Sequence, residues 1–385
     1  NIEVSNASNF KLSFDMHSDI FNIDAQNLFQ NRNSRGWNLL THTSKDWVSG
    51  EWINDNLYSY NYDLDSNSIE YITQNWDGAG WINNSLTHST YDNNENLIES
   101  ISQDADSVGW INSSWSSYIY NDNNDVLERT VRNGDTDGTG WINDKLYSYI
   151  YDAQSNLIEY KRKDWYLTDW RNEYREISTY DDNSNLIEYV EQDGIINEWV
   201  NSHRTLYTYD DDDNLTEQYI YNAWIDSSWV NGLLYNYSYD DNFMERVRYT
   251  WIDSSWVYAS TTEYTYDDNG NEITSLTKNW EDSSFVNYSL KTTVYDSNNN
   301  PSLISQQYWN DDSWYNSSMY DLLISENGED LIQLHQYNWN TSTNIWSLVL
   351  SIIYVYDDDN IIEYMSYYDD GFGPHTHNQS YIYED

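Results

Sequence analysis

A tyrosine followed by a turn rich in Asp and Asn recurs along nearly the whole chain, and its near-constant spacing limits the fold more than any other feature. The segment Tyr151-Asp152-Ala153-Gln154-Ser155-Asn156-Leu157-Ile158-Glu159-Tyr160 serves as the type example. Equivalent tyrosines are Tyr62, Tyr91, Tyr120, Tyr180, Tyr209, Tyr239, Tyr266, Tyr295 and Tyr356, with a degenerate copy at Ser325 and a truncated one at Tyr383. Neighbouring copies are 27 to 31 residues apart. Such regularity marks an array of units that bury surface only against each other, so the repeat overrides the two or three domains that 385 residues would otherwise suggest.

Within a unit, Tyr147, Tyr149 and Tyr151 fall on one face with period two, where a helix would need apolar residues three and four apart. The spacing predicts a strand over Trp141 to Tyr151, a turn over Asp152 to Asn156, and a second strand from Leu157. Asp and Asn suit that turn because they tolerate left-handed backbone and bond locally to the chain. A second turn lies between paired tryptophans, as in Trp76-Asp77-Gly78-Ala79-Gly80-Trp81, Trp224-Ile225-Asp226-Ser227-Ser228-Trp229, Trp251-Ile252-Asp253-Ser254-Ser255-Trp256 and Trp309-Asn310-Asp311-Asp312-Ser313-Trp314. Read as a four-residue hairpin loop, it sets the two indoles together across the strands, a contact of about 0.2–1 kcal/mol.

The opposite face is not purely polar, since Leu146, Ile150 and Leu157 alternate with the tyrosines. The expected fold is therefore all-β: tandem antiparallel β-hairpins forming a coiled or spiral β-sheet array, with a β-propeller as the alternative. Residues 51–385 form the two-strand repeats. Residues 1–50 match the unit poorly, apart from an echo of its turn in Ala25-Gln26-Asn27-Leu28-Phe29-Gln30, and read as a divergent N-terminal cap.

Composition narrows the partners. With 65 Asp and Glu against 17 Lys and Arg, the formal charge is −48, which repels nucleic acid and disfavours an anionic membrane surface. Mean hydropathy is −0.87, yet 17% of residues are aromatic, which disordered chains are not. The 39 Tyr and 20 Trp against 7 Phe suit rings buried on one side with polar tips reaching water. Two Pro fit long paired strands, and the absence of Cys excludes disulfides and thiolate metal sites. Asn1 to Phe10 carry no basic apolar leader, so an exported form would be a mature chain, and no apolar run suggests membrane insertion.

The segment Tyr264-Thr265-Tyr266-Asp267-Asp268-Asn269-Gly270-Asn271-Glu272-Ile273-Thr274 resembles the Tyr-Asp (YD) repeat of the RHS and teneurin class. It is also similar to the Trp-bearing Tyr-Asp-Asn repeats of secreted Bacteroidetes surface proteins, whose arrays often precede a type IX secretion sorting domain. The resemblance covers about residues 50 to 385. Two features differ from the YD pattern: Asn or Ser mostly stands at the Gly270 position, and the Trp turn lengthens the unit. The resemblance implies a secreted or cell-surface β-repeat protein.

Two kinds of site follow from the residues. Asp63, Asp65 and Asn67, with Asp210, Asp212 and Asn214, place oxygens at alternate positions as hard-cation loops do, and Asp135 with Asp137 stands beside turn-forming glycines. Calcium is the candidate cofactor, against the plain reading that Asp and Asn simply form turns. Trp224, Trp229, Trp251 and Trp256 are the candidate ligand aromatics for a glycan, against the plain reading of a packing ladder. His375 and His377 alternate as on a strand and could touch a metal, against the plain reading of a solvated terminal loop after Gly371 and Gly373. No nucleophile elbow, zinc-protease helix or phosphate loop is present, so no enzyme is expected.

The functional expectation is an extracellular or cell-surface structural, adhesive or glycan-binding scaffold. Its partners would be glycans or other cell-surface proteins, with self-association through edge strands. A polysaccharide-degrading enzyme and a cargo-enclosing shell are the alternatives.

Overall fold

The computed structural model describes residues 38–384, apart from 49–50, 108, 196–197, 311, 326–330, 358–359 and 370–373. Most of the expected 1–50 cap therefore lies outside the described residues, as does the turn of the degenerate copy after Ser325.

The described chain is strands joined by turns, with no helix among the described residues. The first strands are β1 (Asn38–Val48), β2 (Glu51–Tyr62), β3 (Ser68–Trp76), β4 (Trp81–Tyr91), β5 (Leu97–Ala105), β6 (Trp110–Tyr120), β7 (Val126–Gly134) and β8 (Trp141–Tyr151). There follow β9 (Leu157–Tyr166), β10 (Asp169–Tyr180), β11 (Leu186–Ile195), β12 (Glu198–Tyr209), β13 (Leu215–Ile225), β14 (Ser228–Asp240), β15 (Phe243–Ile252) and β16 (Ser255–Tyr266). The last are β17 (Glu272–Glu281), β18 (Ser284–Tyr295), β19 (Pro301–Asn310), β20 (Ser313–Ile324), β21 (Leu331–Asn340), β22 (Ile345–Asp357), β23 (Asn360–Asp369) and β24 (Pro374–Glu384). β8 and β9 coincide with the strands that the tyrosine alternation predicts. His375 and His377 have strand backbone in β24 rather than lying in a terminal loop, because Asp369 pairs with Pro374 and extends the last hairpin.

All strands belong to one antiparallel sheet in which each pairs with its neighbour in sequence. This single coiled array replaces the propeller alternative, which would require separate blades. The sheet coils until its first and last strands meet: Thr43 of β1 pairs with Ser380 of β24, within a register running from Asn38↔Glu384 to Asp46↔His377. Every described strand thus has a partner on both sides.

The coiling has a local source. In almost every hairpin the register slips once near each end, as between Thr73 and Gln74 against β4 and between Asn61 and Tyr62 against β3. Each slip is a β-bulge, which adds right-handed twist and bends the strand. Repeated unit after unit, such bends curve the whole sheet in one sense.

Little of the surface is deeply buried. A continuous apolar cluster forms where Leu39 of β1 gathers with Ile304, Leu322, Leu334 and Ile352 of β19 to β22, joined by Tyr354. Elsewhere most strand side chains are half-buried, so lateral pairing and cross-strand contacts stabilise the array more than a central core does.

Candidate ligand-binding face

The turns fall into two rows, one at each end of the strands. At one end lie the Tyr-Asp turns. Asp63 donates its N–H to the Asn67 carbonyl at 3.0 Å, and Ser66 closes the loop with a positive φ of 64°. One Oδ of Asp63 accepts from the backbone N–H of Asp65 and of Asn67, both at 2.9 Å, while the other accepts from Asn67 Nδ2 at 3.1 Å. This is the three-residue hairpin loop ending in a left-handed residue. Asp acts as the acceptor, and the left-handed position falls to Ser66, Glu95, Asn124, Ser155, Ser184, Asp213 and Asn299, or to Gly270. Where Asn121 replaces the Asp, Asp125 replaces the Asn, and Asn121 Nδ2 donates to Asp125 at 3.0 Å, so the pair survives with its members exchanged.

The candidate metal residues sit in turns, where Asp63, Asn67, Asp210, Asn214, Asp135 and Asp137 form hydrogen bonds that shape the loop. Asp210 accepts from the N–H of Asp212 at 3.0 Å and of Asn214 at 2.9 Å. In the Trp-end loop after β7, Asp135 and Asp137 both accept from the Thr139 N–H, at 2.9 and 3.1 Å, and Asp137 also accepts from the Thr139 hydroxyl at 2.7 Å. The Asn67 side chain, donating to Asp63, holds that carboxyl below the usual carboxylate range, and the Asn214 N–H does the same for Asp210. Among the described residues no group of three or more His, Cys, Asp or Glu could hold a metal ion.

Two features of this end were not read from the sequence. The repeated tyrosine is a hook: the hydroxyls of Tyr62, Tyr91, Tyr120 and Tyr209 donate to the carbonyls of Leu39, Ser68, Leu97 and Leu186, each 23 residues earlier, at 3.0, 3.2, 2.7 and 3.0 Å. Burial pushes the Tyr62 phenol up to about 12. Neighbouring turns are also tied together. Asn96 Nδ2 donates to Asn124 at 2.8 Å, Asn156 Nδ2 to Ser184 at 3.1 Å, and Asn185 Nδ2 to Asp213 at 2.8 Å. The sequence signal was available in the amide at the fifth turn position and the polar residue at the fourth, one unit later.

The Trp turns occupy the other end. Trp224 faces Trp229 with centroids 4.9 Å apart and planes at 69°, and Trp251 faces Trp256 at 5.0 Å and 67°. Trp76–Trp81, Trp165–Trp170, Trp309–Trp314 and Trp339–Trp346 repeat this edge-to-face contact at 5.0 to 5.2 Å. The indoles meet as expected, but in the Asp-Ser-Ser copies the loop is two residues, not four. Ile225 still pairs with Ser228, so only Asp226 and Ser227 turn, both with positive φ, at 48° and 62°. That doubly left-handed turn matches the twist of the flanking strands. The Ser228 hydroxyl donates to the Ile225 carbonyl at 3.0 Å, which accounts for the second serine of the motif.

The four candidate tryptophans come to lie in one aromatic stripe. Trp256 reaches back to Tyr219 at 5.2 Å, Tyr219 touches Tyr221 at 4.7 Å, and Tyr221 touches Trp229 at 5.9 Å. Farther on, Tyr258 leans on Trp280 at 4.8 Å, which faces Phe285 at 4.9 Å. These rings are half-buried, with Tyr258 42% exposed, so the stripe packs against itself along its edges and keeps ring surface open. On the side toward β12, the Arg204 guanidinium lies 5.5 Å from the Tyr221 centroid and 6.0 Å from that of Trp229.

No protein-family model matches the chain, and no curated protein matches it. Among solved structures it is similar to the crystal structure of TcdB2-TccC3, with a TM-score of 0.38 and 11% identity, over 86% of this chain and 19% of that one. The chain therefore spans about a fifth of that protein's length. A DUF3836 family protein from Bacteroides vulgatus is 17% identical with a TM-score of 0.21, over 23% of this chain and 92% of that one. A porin-like protein from Bacteroides uniformis is 10% identical with a TM-score of 0.22, over 90% of this chain and 98% of that one.

Proposed function

We propose that the protein is an exported or cell-surface scaffold that binds glycans through the aromatic stripe on its Trp-bearing face. The supporting observation is the run from Trp224 and Trp229 through Tyr221 and Tyr219 to Trp256 and Trp251, half-buried rings at fixed spacing on a sheet whose strands hold them in place. Sugar rings present flat C–H faces that stack on such aromatic surfaces. A sheet held on both sides of every described strand supplies the rigid support that a precise site needs. Tryptophan fluorescence during titration of the full chain with glycan oligosaccharides tests the reading. Saturable quenching, abolished by Trp229→Ala with Trp256→Ala while the fold persists, supports it; no response to any glycan class refutes it.

A second reading, the enclosing shell, is favoured by one specific observation, the pairing of β1 with β24, which leaves the wall without a lateral gap between those strands. Solution scattering separates the two. A hollow cross-section is required by the shell, while the glycan reading holds for either.

A further inference from the structure

The charges on the Trp-bearing face are not those of the molecule. Pairing carries this face across β7 to β12: Arg132 lies opposite Trp115, Thr130 and Leu146 lead to Lys163, Lys161 pairs with Arg175, and Val190 links to Arg204. Five bases, Arg132, Lys161, Lys163, Arg175 and Arg204, here share the face with three acids, Glu128, Glu159 and Glu188. Glu159 pairs with both Lys161 and Arg175, and Glu188 pairs with Arg204 at 2.6 Å. Among the described residues Lys163 has no ion-pair partner, although acids outnumber bases 65 to 17 in the chain.

The arginines are also laid on rings. Arg132 is 4.4 Å from the Trp115 centroid, Arg175 is 5.9 Å from that of Trp199, and Arg204 covers Tyr221 and Trp229. Arg175 and Arg204 already meet Glu159 and Glu188, so Arg132 and Lys163 are the bases on this face left to meet a carboxylate or sulfate of a ligand. The basic ladder meets the aromatic stripe at Arg204, so the two form one continuous strip.

We propose that the ligand of this strip is an acidic polysaccharide carrying about one carboxylate or sulfate per disaccharide. The proposal rests on the glycan-binding reading and narrows it. Spacing supports it: strands lie about 4.8 Å apart, so a two-strand unit advances about 9.6 Å, close to the length of a disaccharide, and bases recur on β7, on β9 and β10, and on β12. The net charge of −48 does not forbid it. The acidic Tyr-Asp turns lie at the far strand ends, about 20 Å from Arg132 and Lys163, while screening at physiological salt acts within about 8 Å. Local charge therefore decides what this strip attracts.

The full chain is titrated with oligogalacturonate and with chondroitin sulfate, and in parallel with a neutral xylo-oligosaccharide of equal length, reading tryptophan fluorescence and calorimetric heat. The acidic oligosaccharides are expected to bind at least about tenfold more tightly than the neutral one, and more weakly as salt is raised. Lys163→Gln lowers acidic affinity about tenfold and leaves neutral affinity unchanged, with near-ultraviolet dichroism reporting the fold. Equal, salt-independent binding of the neutral sugar overturns the acidic proposal and leaves the glycan reading standing. Failure of every sugar overturns both. Tighter binding of a single-stranded oligodeoxynucleotide than of either acidic sugar also overturns the proposal.

Discussion

At the Tyr-Asp end, the loop after Tyr180 is built from hydrogen bonds: Asp181 accepts from the N–H of Asn183 and of Asn185, each at 2.9 Å, and Asn185 reaches Asp213 in the next loop. At the Trp end, the loop after Trp224 is closed by an aromatic pair and a two-residue turn, and no contact between neighbouring loops is needed. The two ends vary accordingly. Most Tyr-Asp loops keep one length because an Asp or Asn side chain must reach particular N–H groups, whereas the loop after Tyr239 shortens to Asp241 and Asn242. The Trp-end loops range from Asp226-Ser227 to Asp135–Gly140, because the indole pair, or a glycine facing Trp141, closes the ladder whatever follows. Variable loops on a fixed frame are where recognition generally evolves.

The first way to break this contrast is at the loop after β7, which folds onto the neighbouring strand β6. Asn112 donates its N–H to the Gly138 carbonyl at 3.0 Å, and a Cβ at position 134 would lie 1.8 Å from the Asn112 carbonyl oxygen. Gly134→Ala should therefore cost about 3 kcal/mol in thermal or urea unfolding, the largest single effect. A neutral result would mean that the two strands do not approach this closely.

Removing the acceptor at the other end comes next. Asp181→Ala leaves two loop N–H groups without their partner and should cost about 1–2 kcal/mol by analogy with lost helix caps. Asp181→Asn should cost clearly less, since Asn121 already serves in the same position. Equal losses for Ala and Asn would show that the acceptor is not what matters.

At the Trp end, a double-mutant cycle on Trp251 and Trp256 should return a coupling of about 0.5–1.5 kcal/mol, the worth of an edge-to-face pair beyond burial. Zero coupling would reduce the indoles to independent packing.

The smallest effects are with pH, and they run in opposite directions at acid and alkaline extremes. Asp63, Asp152 and Asp267 have carboxyls lowered first by their Asn partner, so the unfolded chain takes up protons before the folded one as pH falls. Their contribution is present above the ordinary carboxylate range and is lost on passing below it. Burial raises the phenols of Tyr62, Tyr149 and Tyr237 to about 12, so their contribution is complete below 10 and disappears as pH rises toward 12. Melting temperature against pH should show an acid shoulder that Asp63→Asn with Asp152→Asn flattens, and an alkaline fall that those variants leave unchanged.

The hairpins were legible in the sequence because their causes are local. Alternation of Tyr147, Tyr149 and Tyr151 reports the pleat directly, and Asp152 to Asn156 carries the turn chemistry in five consecutive residues. The Trp pairs were legible for the same reason. Their loop was misjudged because four intervening residues do not reveal that Ile225 and Ser228 remain paired, which depends on left-handed backbone at Asp226 and Ser227. Other features lie beyond local reading. Asn185 finds Asp213 only because pairing sets their loops side by side, and Arg204 meets Tyr221 only through the register of β12 with β13. The junction of β1 with β24 depends on the bend accumulated over the whole array, which no single unit specifies.

That junction offers the most direct test of the account, a coiled array of hairpins in which every described strand is held on both sides. The chain has no cysteine, so a pair introduced as Thr43→Cys and Ser380→Cys, directly opposite in the register, can be oxidised without competition. Paired positions have Cα atoms about 4.5–5.5 Å apart, within disulfide range. The account predicts a rapid intramolecular disulfide in the folded monomer, while a control pair at Thr43 and Thr274 forms none. Failure of the Thr43–Ser380 pair to close within a monomer would contradict it.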